Sequence, residues 1–375
     1  MPKYKFDQIA YNINDKKMPE PGDEEMYIGL EHLDSGSLRV TRWGSDVPIK
    51  GQKLLMKKGD ILFGRRNTYL RRAAIAPHDG IFSAHGMIFR PKTEVIDEKY
   101  FPFFIASDYF MDEAIRISVG SLSPTVNWKT LKELEFVIPE LEEQKRLAEI
   151  LTAADETRES YKKLLAKTDE LVKSQFIEMF GDPMTNSKDL PLQKYGEAFE
   201  LNAGGTPSKK KTEYWEGGTI SWIGSNMCHD AIIYENDGNY ITEEGLKHSS
   251  ARLFPVDTVL IALVGATIGR TALLKFETTT NQNVIGVRNI REAGYTPEFV
   301  FYYTQGIYGK FTEKGAGFFM ASKGFISDLQ IPIVAIDKQE GFTSFVKQSD
   351  KSKFEIKQAI ESLNATIRAL VQRDN

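Results

Sequence analysis

The strongest constraint on this chain is that it repeats itself. With residue 59 set against 257, an offset of 198, Asp60-Ile61-Leu62 falls on Thr258-Val259-Leu260, and Arg72-Ala73-Ala74-Ile75 on Arg270-Thr271-Ala272-Leu273. Phe101-Pro102-Phe103-Phe104 meets Phe299-Val300-Phe301-Tyr302 at the same offset. At offset 195, Tyr27-Ile28-Gly29 meets Trp222-Ile223-Gly224, and Leu141-Glu142-Glu143-Gln144 meets Ile336-Asp337-Lys338-Gln339. A unit of roughly 190 residues is far longer than a solenoid repeat. Two such copies account for the 375 residues and predict two paralogous halves with pseudo-two-fold symmetry.

Each copy changes its hydrophobic period part-way. Its first portion carries short apolar and β-branched runs punctuated by Gly and Pro, such as Asp60 to Phe63, Gly86 to Phe89, Thr258 to Val264 and Asn283 to Val287, which read as strands. Its last portion is a heptad seam: Gln144, Leu147, Leu151, Ala154, Arg158, Tyr161, Leu165, Thr168, Val172, Gln175 and Met179 in the first copy. The second gives Gln339, Phe342, Val346, Ser349, Lys353, Ile356, Ile360, Leu363, Ile367 and Leu370. Sustained 3–4 spacing signals a coiled coil. A helix of about 40 residues spans some 60 Å. Two from one chain pair most economically antiparallel, holding β-rich domains at opposite ends. Arg158 and Lys353 occupy the same seam position, where a cation either fixes register or marks a fray or a contact with another chain. Pro139 precedes the first helix and Gly181-Asp182-Pro183 ends it.

Composition narrows the class. Hydrophobic residues at 41% and charged residues at 27% describe an ordinary globular chain. No apolar run approaches the roughly 18 residues of a membrane span, and the N-terminal stretch lacks the apolar core of a secretory signal. A cytoplasmic protein with no membrane contact is expected. The single cysteine, Cys228, leaves no intramolecular disulfide and no cysteine metal cluster, and no metal site is expected. Cys228-His229 reads as packing, because adjacent side chains point apart. The net charge is −4, yet Arg39 to Arg72 holds ten bases against two acids, whereas Glu140 to Phe180 holds ten acids against seven bases. Opposite balances suggest different partners.

Enzyme signatures are mostly absent from the sequence. It has no phosphate-cradling loop with Lys-Ser or Lys-Thr, no dinucleotide fingerprint opening a helix, and no paired His on a helix for zinc. Gly265-Ala266-Thr267-Ile268-Gly269 and Gly315-Ala316-Gly317 read as turns. An amino-methyltransferase needs Asn-Pro-Pro-aromatic or Asp-Pro-Pro-aromatic, and Asp182-Pro183-Met184 is neither. No catalytic residue is expected.

Binding signatures are better represented. Arg65, Arg66, Asn67, Tyr69, Arg71 and Arg72 interleave guanidinium, amide and phenol between two apolar runs. Arginine forks suit phosphate and guanine, and Asn suits adenine. A solvated basic hairpin is the alternative. In the second copy, Lys209, Lys210 and Lys211 followed by Tyr214 make a similar loop, although three lysines also simply face water. Gln282 and Asn283 offer bidentate amides at a strand start, or a turn. Asn226, Thr267, Arg270 and Lys323 complete the candidate DNA-contacting set.

These residues resemble a known family. Gly204-Gly205-Thr206-Pro207-Ser208, Tyr214-Trp215, Ile220-Ser221-Trp222-Ile223 and Asn226-Met227 look like the opening of a target recognition domain of the Type I restriction–modification specificity subunit. Gly265 to Arg270, and Ile138-Pro139 followed by Leu141 to Gln144, are similar to its recurrent motifs. The first copy departs from this pattern, with Pro19-Glu20-Pro21 in place of the Gly-Gly-Thr-Pro-Ser run. The resemblance implies an α+β fold: target recognition domains over 1–138 and 183–333, and spacer helices over 139–182 and 334–375 that form an antiparallel coiled coil. It further implies a non-catalytic reader of a bipartite double-stranded DNA target. Two modification subunits would dock on the helices and carry S-adenosylmethionine and adenine methylation, and restriction subunits would add ATP, Mg and cleavage. This chain itself would bind no cofactor. The rivals are a freestanding enzyme and a scaffold that binds protein alone.

Overall fold

The computed structural model describes residues 2–312 and 320–372. Gly315-Ala316-Gly317, expected as a turn, lies outside the described residues. The chain divides into two compact units, Met1–Lys163 with Ile356–Asn375, and Leu164–Glu355.

In the first unit a four-stranded sheet runs in the order Ala10–Ile13, Met87–Pro91, Ile61–Phe63, Ala73–Ile75, all neighbours antiparallel. Alternation along these strands serves two cores at once. Ile61, Phe63, Ala73 and Phe89 face a core shared with the helices Phe101–Ala106 and Asp108–Arg116, whereas Leu62, Ala74 and Ile88 face a second core with Ile28, Leu54 and Phe82. Both faces are therefore covered, which is why the strands read as continuous apolar runs. The second core is closed by a smaller sheet, Lys16–Lys17, Lys53–Met56, Gly80–Phe82, Tyr27–Ile28.

The second unit repeats this plan. Its main sheet is ordered Glu200–Ala203, Val284–Arg288, Val259–Ala262, Thr271–Leu274, Ala231–Ile233. Val259, Ile261, Ile285 and Val287 face one core, and Leu260, Ala262, Ala272 and Val284 the other. The fifth strand pairs parallel to Thr271–Leu274, and in the first unit its counterpart shrinks to one parallel bridge, Arg39 to Ile75. Both units also pair a short parallel strand: Tyr27 with Ile81 and Ile28 with Phe82 in one, Trp222 with Thr279 and Ile223 with Thr280 in the other.

Two long helices, Leu141–Phe180 and Ile336–Gln372, enter both units. In the first unit Leu147 and Leu151 share a core with Ile367, Leu370 and Val371. In the second, Val172, Phe176 and Phe180 share one with Phe342 and Val346. In each unit the numbering of one helix rises as the other falls, so the pairing is antiparallel, as expected. Along the seam Leu147, Leu151, Val172, Phe342 and Val346 are buried, and Tyr161, Leu165, Ile356, Ile360, Leu363 and Ile367 are half-buried.

The seam cations have matching surroundings. Arg158 reaches Asp155 three residues earlier and donates to Asn364 Oδ1 across the pair at 3.3 Å. Lys353 pairs with Asp350 three residues earlier at 2.7 Å and with Asp169 across the pair at 3.1 Å. Both are clamped rather than frayed.

Candidate nucleic-acid interface

The basic stretch of the first unit is not one free surface. Arg39 pairs with Asp155 at 3.1 Å, and Arg42 grips Asp34 through two nitrogens at 2.8 and 2.9 Å. Arg71 donates to Asp108 at 2.9 Å and also pairs with Asp112. Arg72 donates to the carbonyls of Leu30 and Arg66 at 3.0 and 3.1 Å, and burial pushes its guanidinium below the ordinary arginine range. Arg71 and Arg72, expected at the DNA, are thus each engaged inside the fold through two nitrogens. A guanidinium carries five N–H donors, so these bonds orient each side chain and leave donors over. These bonds tie together the loops around them.

Arg66 and Tyr69 are exposed, and Arg65 and Asn67 are half-buried. Asn67 adopts φ +54°, a left-handed backbone that Asn tolerates, and its N–H donates to the Pro124 carbonyl at 2.7 Å. The turn Thr68–Leu70 that follows lifts Tyr69 into solvent.

In the second unit several expected residues converge. Gly204 N–H donates to Val284 C=O and Gly205 N–H to Thr280 C=O, at 3.0 and 2.8 Å. A Cβ on Gly204 would lie 2.0 Å from Thr280 Oγ1, and one on Gly205 2.3 Å from the Ser250 backbone, so only glycine fits. This close approach brings Thr206 Oγ1 within 2.6 Å of Gln282 Oε1. Gln282, Asn226, Lys209 and Lys210 are exposed there and Asn283 is half-buried.

Other expected residues are occupied. Tyr214 is buried, and its hydroxyl accepts from Lys211 at 2.8 Å, so the expected exposed aromatic of this loop is not Tyr214. Arg270 pairs with Asp230 and lies over the Tyr308 ring at 4.5 Å. The Asp230 hydrogen bond raises its pKa further. Thr267 is half-buried in the Gly265–Thr267 turn, and Lys323 is exposed at the start of the helix Lys323–Asp328. Cys228 is fully buried, its thiol pushed up to about 12 by burial and by Asp230. Among the described residues no group of three or more His, Cys, Asp or Glu could hold a metal ion, and no helix is long and apolar enough to cross a membrane.

Sequence reasoning missed the loop Val119 to Thr125, which pairs with the Arg65–Asn67 segment. Its signal was available: from Ile117 to Asn127 there is no charged residue in a chain that is 27% charged.

The model of the Type I restriction modification DNA specificity domain matches the chain twice, over residues 12–168 and 190–364. The chain belongs to that family. Its curated relatives include the MjaIX specificity subunit of Methanocaldococcus jannaschii, 32% identical over 170 residues, 44% of this chain and 38% of that protein. The EcoR124I/EcoR124II specificity subunit of Escherichia coli is 36% identical over 95 residues, 24% of this chain and 23% of that one. The chain thus spans well under half the length of these two relatives. The putative MjaX specificity subunit of M. jannaschii is 23% identical over 348 residues, 86% of this chain and 79% of its own length. Among solved structures, a chain from a study of type I R-M complex assembly and conformational transition aligns with TM-score 0.60 at 16% identity, covering 100% of this chain and 97% of that one. The S subunit from M. genitalium aligns with TM-score 0.56 at 15% identity, covering 99% and 95%. These likenesses carry the fold, and the family match assigns both copies to the Type I restriction modification DNA specificity domain.

Proposed function

We propose that this chain reads a bipartite double-stranded DNA target, each unit taking one half, within a Type I restriction–modification complex in the cytoplasm. The observation that carries the reading is the duplication: one specificity-domain match per unit, each unit with the same order of four antiparallel strands in its main sheet and its own share of the helix pair. A reader of two separated half-sites needs two recognition surfaces and something to set their spacing, and a duplicated unit with a long helix supplies both. Arg66, Tyr69 and Asn67 in the first unit, and Lys209, Lys210, Asn226, Gln282 and Asn283 in the second, are the candidate contacts. Cations would hold phosphates, and the amides would meet base edges.

Residues 140–180 hold ten acids against seven bases, a balance that suits a protein partner better than DNA. Two modification subunits would dock on the helices and bring S-adenosylmethionine for adenine methylation. Restriction subunits would bring ATP and Mg chemistry. This chain would bind none of these cofactors. Methylation mapping in cells with and without the gene tests the reading: a methylated bipartite adenine motif that disappears with the gene is expected, and an unchanged methylome rejects it.

A further inference from the structure

The Val119–Thr125 loop of the first unit is stapled at its base and bare at its tip. Val119 N–H donates to Thr125 C=O at 3.1 Å and Thr125 N–H to Val119 C=O at 3.0 Å, and Gly120 turns the chain at φ +116°. The loop is then fastened to the arginine segment. Asn67 N–H donates to Pro124 C=O at 2.7 Å, Val126 N–H to Arg65 C=O at 3.0 Å, and the Arg66 guanidinium reaches Ser123 Oγ at 3.3 Å. At the tip Leu122 is 94% exposed, more than any other large apolar side chain among the described residues, and at the base Val119 is 70% exposed.

A single exposed leucine on a surface says little by itself. The backbone beneath this one is bonded on both flanks, so the side chain is presented in a fixed place. Its surroundings point to the occupant. Phe63 to Leu70 and Ile117 to Asn127 together contain Arg65, Arg66 and no acid, with Ser118, Ser121, Ser123 and Thr125 as neutral hydroxyls. An apolar point carried on two joined segments that hold cations and hydroxyls and no acid matches phosphates flanking a groove.

We propose that Leu122 is an apolar reading element that enters a groove of the DNA and buries against base surface. This rests on the proposed DNA-reading role of the first unit. Apolar side chains contact DNA in two ways, against a thymine methyl or wedged into a base step. Both share the chemistry claimed here.

The test uses the chain assembled with its modification subunits and the motif found by methylation mapping. Leu122→Ala should lower affinity for the motif by about tenfold, leave affinity for scrambled DNA and the salt slope unchanged, and be largely rescued by Leu122→Met. Uracil in place of a half-site thymine weakening only the unsubstituted complex identifies a methyl contact. A rise in 2-aminopurine fluorescence at a half-site step, away from the methylated adenine and lost in Leu122→Ala, identifies step insertion. Equal motif affinity for Leu122→Ala and the unsubstituted chain, with equal melting temperatures, overturns the proposal while the DNA-reading role stands. Failure of Leu122→Ala to assemble without DNA also overturns it, since the leucine then serves a protein contact. Loss of motif preference in the unsubstituted complex would instead remove the DNA-reading role itself.

Discussion

Gln144 and Gln339, 195 residues apart, make the same three hydrogen bonds. Gln144 Nε2 donates to the carbonyls of Val95 and Pro139 at 2.9 and 2.8 Å, and its Oε1 accepts from Asp97 N–H at 2.7 Å. Gln339 Nε2 donates to Gly294 and Val334 at 3.2 and 2.8 Å, and its Oε1 accepts from Thr296 N–H at 2.9 Å. Both side chains are fully buried. Each ties the first turns of a long helix to the connection that follows the main sheet of its own unit.

Removing either clamp strands buried backbone groups. Gln144→Ala or Gln339→Ala should each cost about 2–3 kcal/mol, because an unsatisfied buried donor or acceptor costs more than a hydrogen bond contributes. A urea titration reads this as a lower midpoint at unchanged slope. A midpoint within error of the original would show that the clamp is dispensable.

The arginines of the first unit should separate by salt dependence. Arg66→Ala is expected to flatten the dependence of DNA affinity on salt by roughly one unit of slope, as one phosphate contact is lost. Arg71→Ala should leave the slope alone and cost about 1 kcal/mol of stability through its half-exposed pairs with Asp108 and Asp112. Binding measured from low to moderate salt decides between them, and the reverse pattern would return Arg71 to the interface.

Acid should weaken the second unit through Asp257. Burial by itself would raise its pKa, but Lys275 and Arg291, bonded at 2.9 and 2.8 Å, outweigh that and hold the carboxyl below the usual carboxylate range. A depressed folded-state pKa means stability that is complete above the unfolded value near about 4 and is lost as pH falls through the lower folded value. Asp257→Asn keeps a residue suited to φ +68° yet removes the charge. Its stability should differ from that of the original most at neutral pH, and the gap should shrink below pH ~4. A gap independent of pH would count against the ion pairs as its source.

Helix length should set the spacer. Seven residues inserted after Ala166 and after Glu361, both exposed, preserve the heptad and lengthen each helix by about 10 Å. The methylated motif should keep its half-site bases and gain about three base pairs of spacer, at ~3.4 Å per pair. Sequencing methylated sites checks this, and an unchanged spacer would assign the ruler elsewhere.

The duplication, the short apolar strands and the helix pair were legible because they are written in local periodicity and in matched spacing. Which cations remain free was not. Arg71 finds its acids 37 and 41 residues away, and Arg270 finds Asp230 across 40. Only the folded chain brings those partners together. Tyr214 carries the same lesson, since an aromatic beside three lysines reads as exposed until the loop folds it under. Leu122 escaped notice because a search for charge passes over a stretch without any.

The burial of Cys228 has a practical consequence. A thiol with no exposed surface and a pKa pushed up to about 12 presents almost no thiolate at neutral pH, so alkylating reagents leave it alone. It is also the chain's single cysteine. A cysteine placed on the surface, by Leu122→Cys for instance, would then be the sole reactive handle without first removing the native one. A dye or crosslinker carried at that position would report what the loop tip meets.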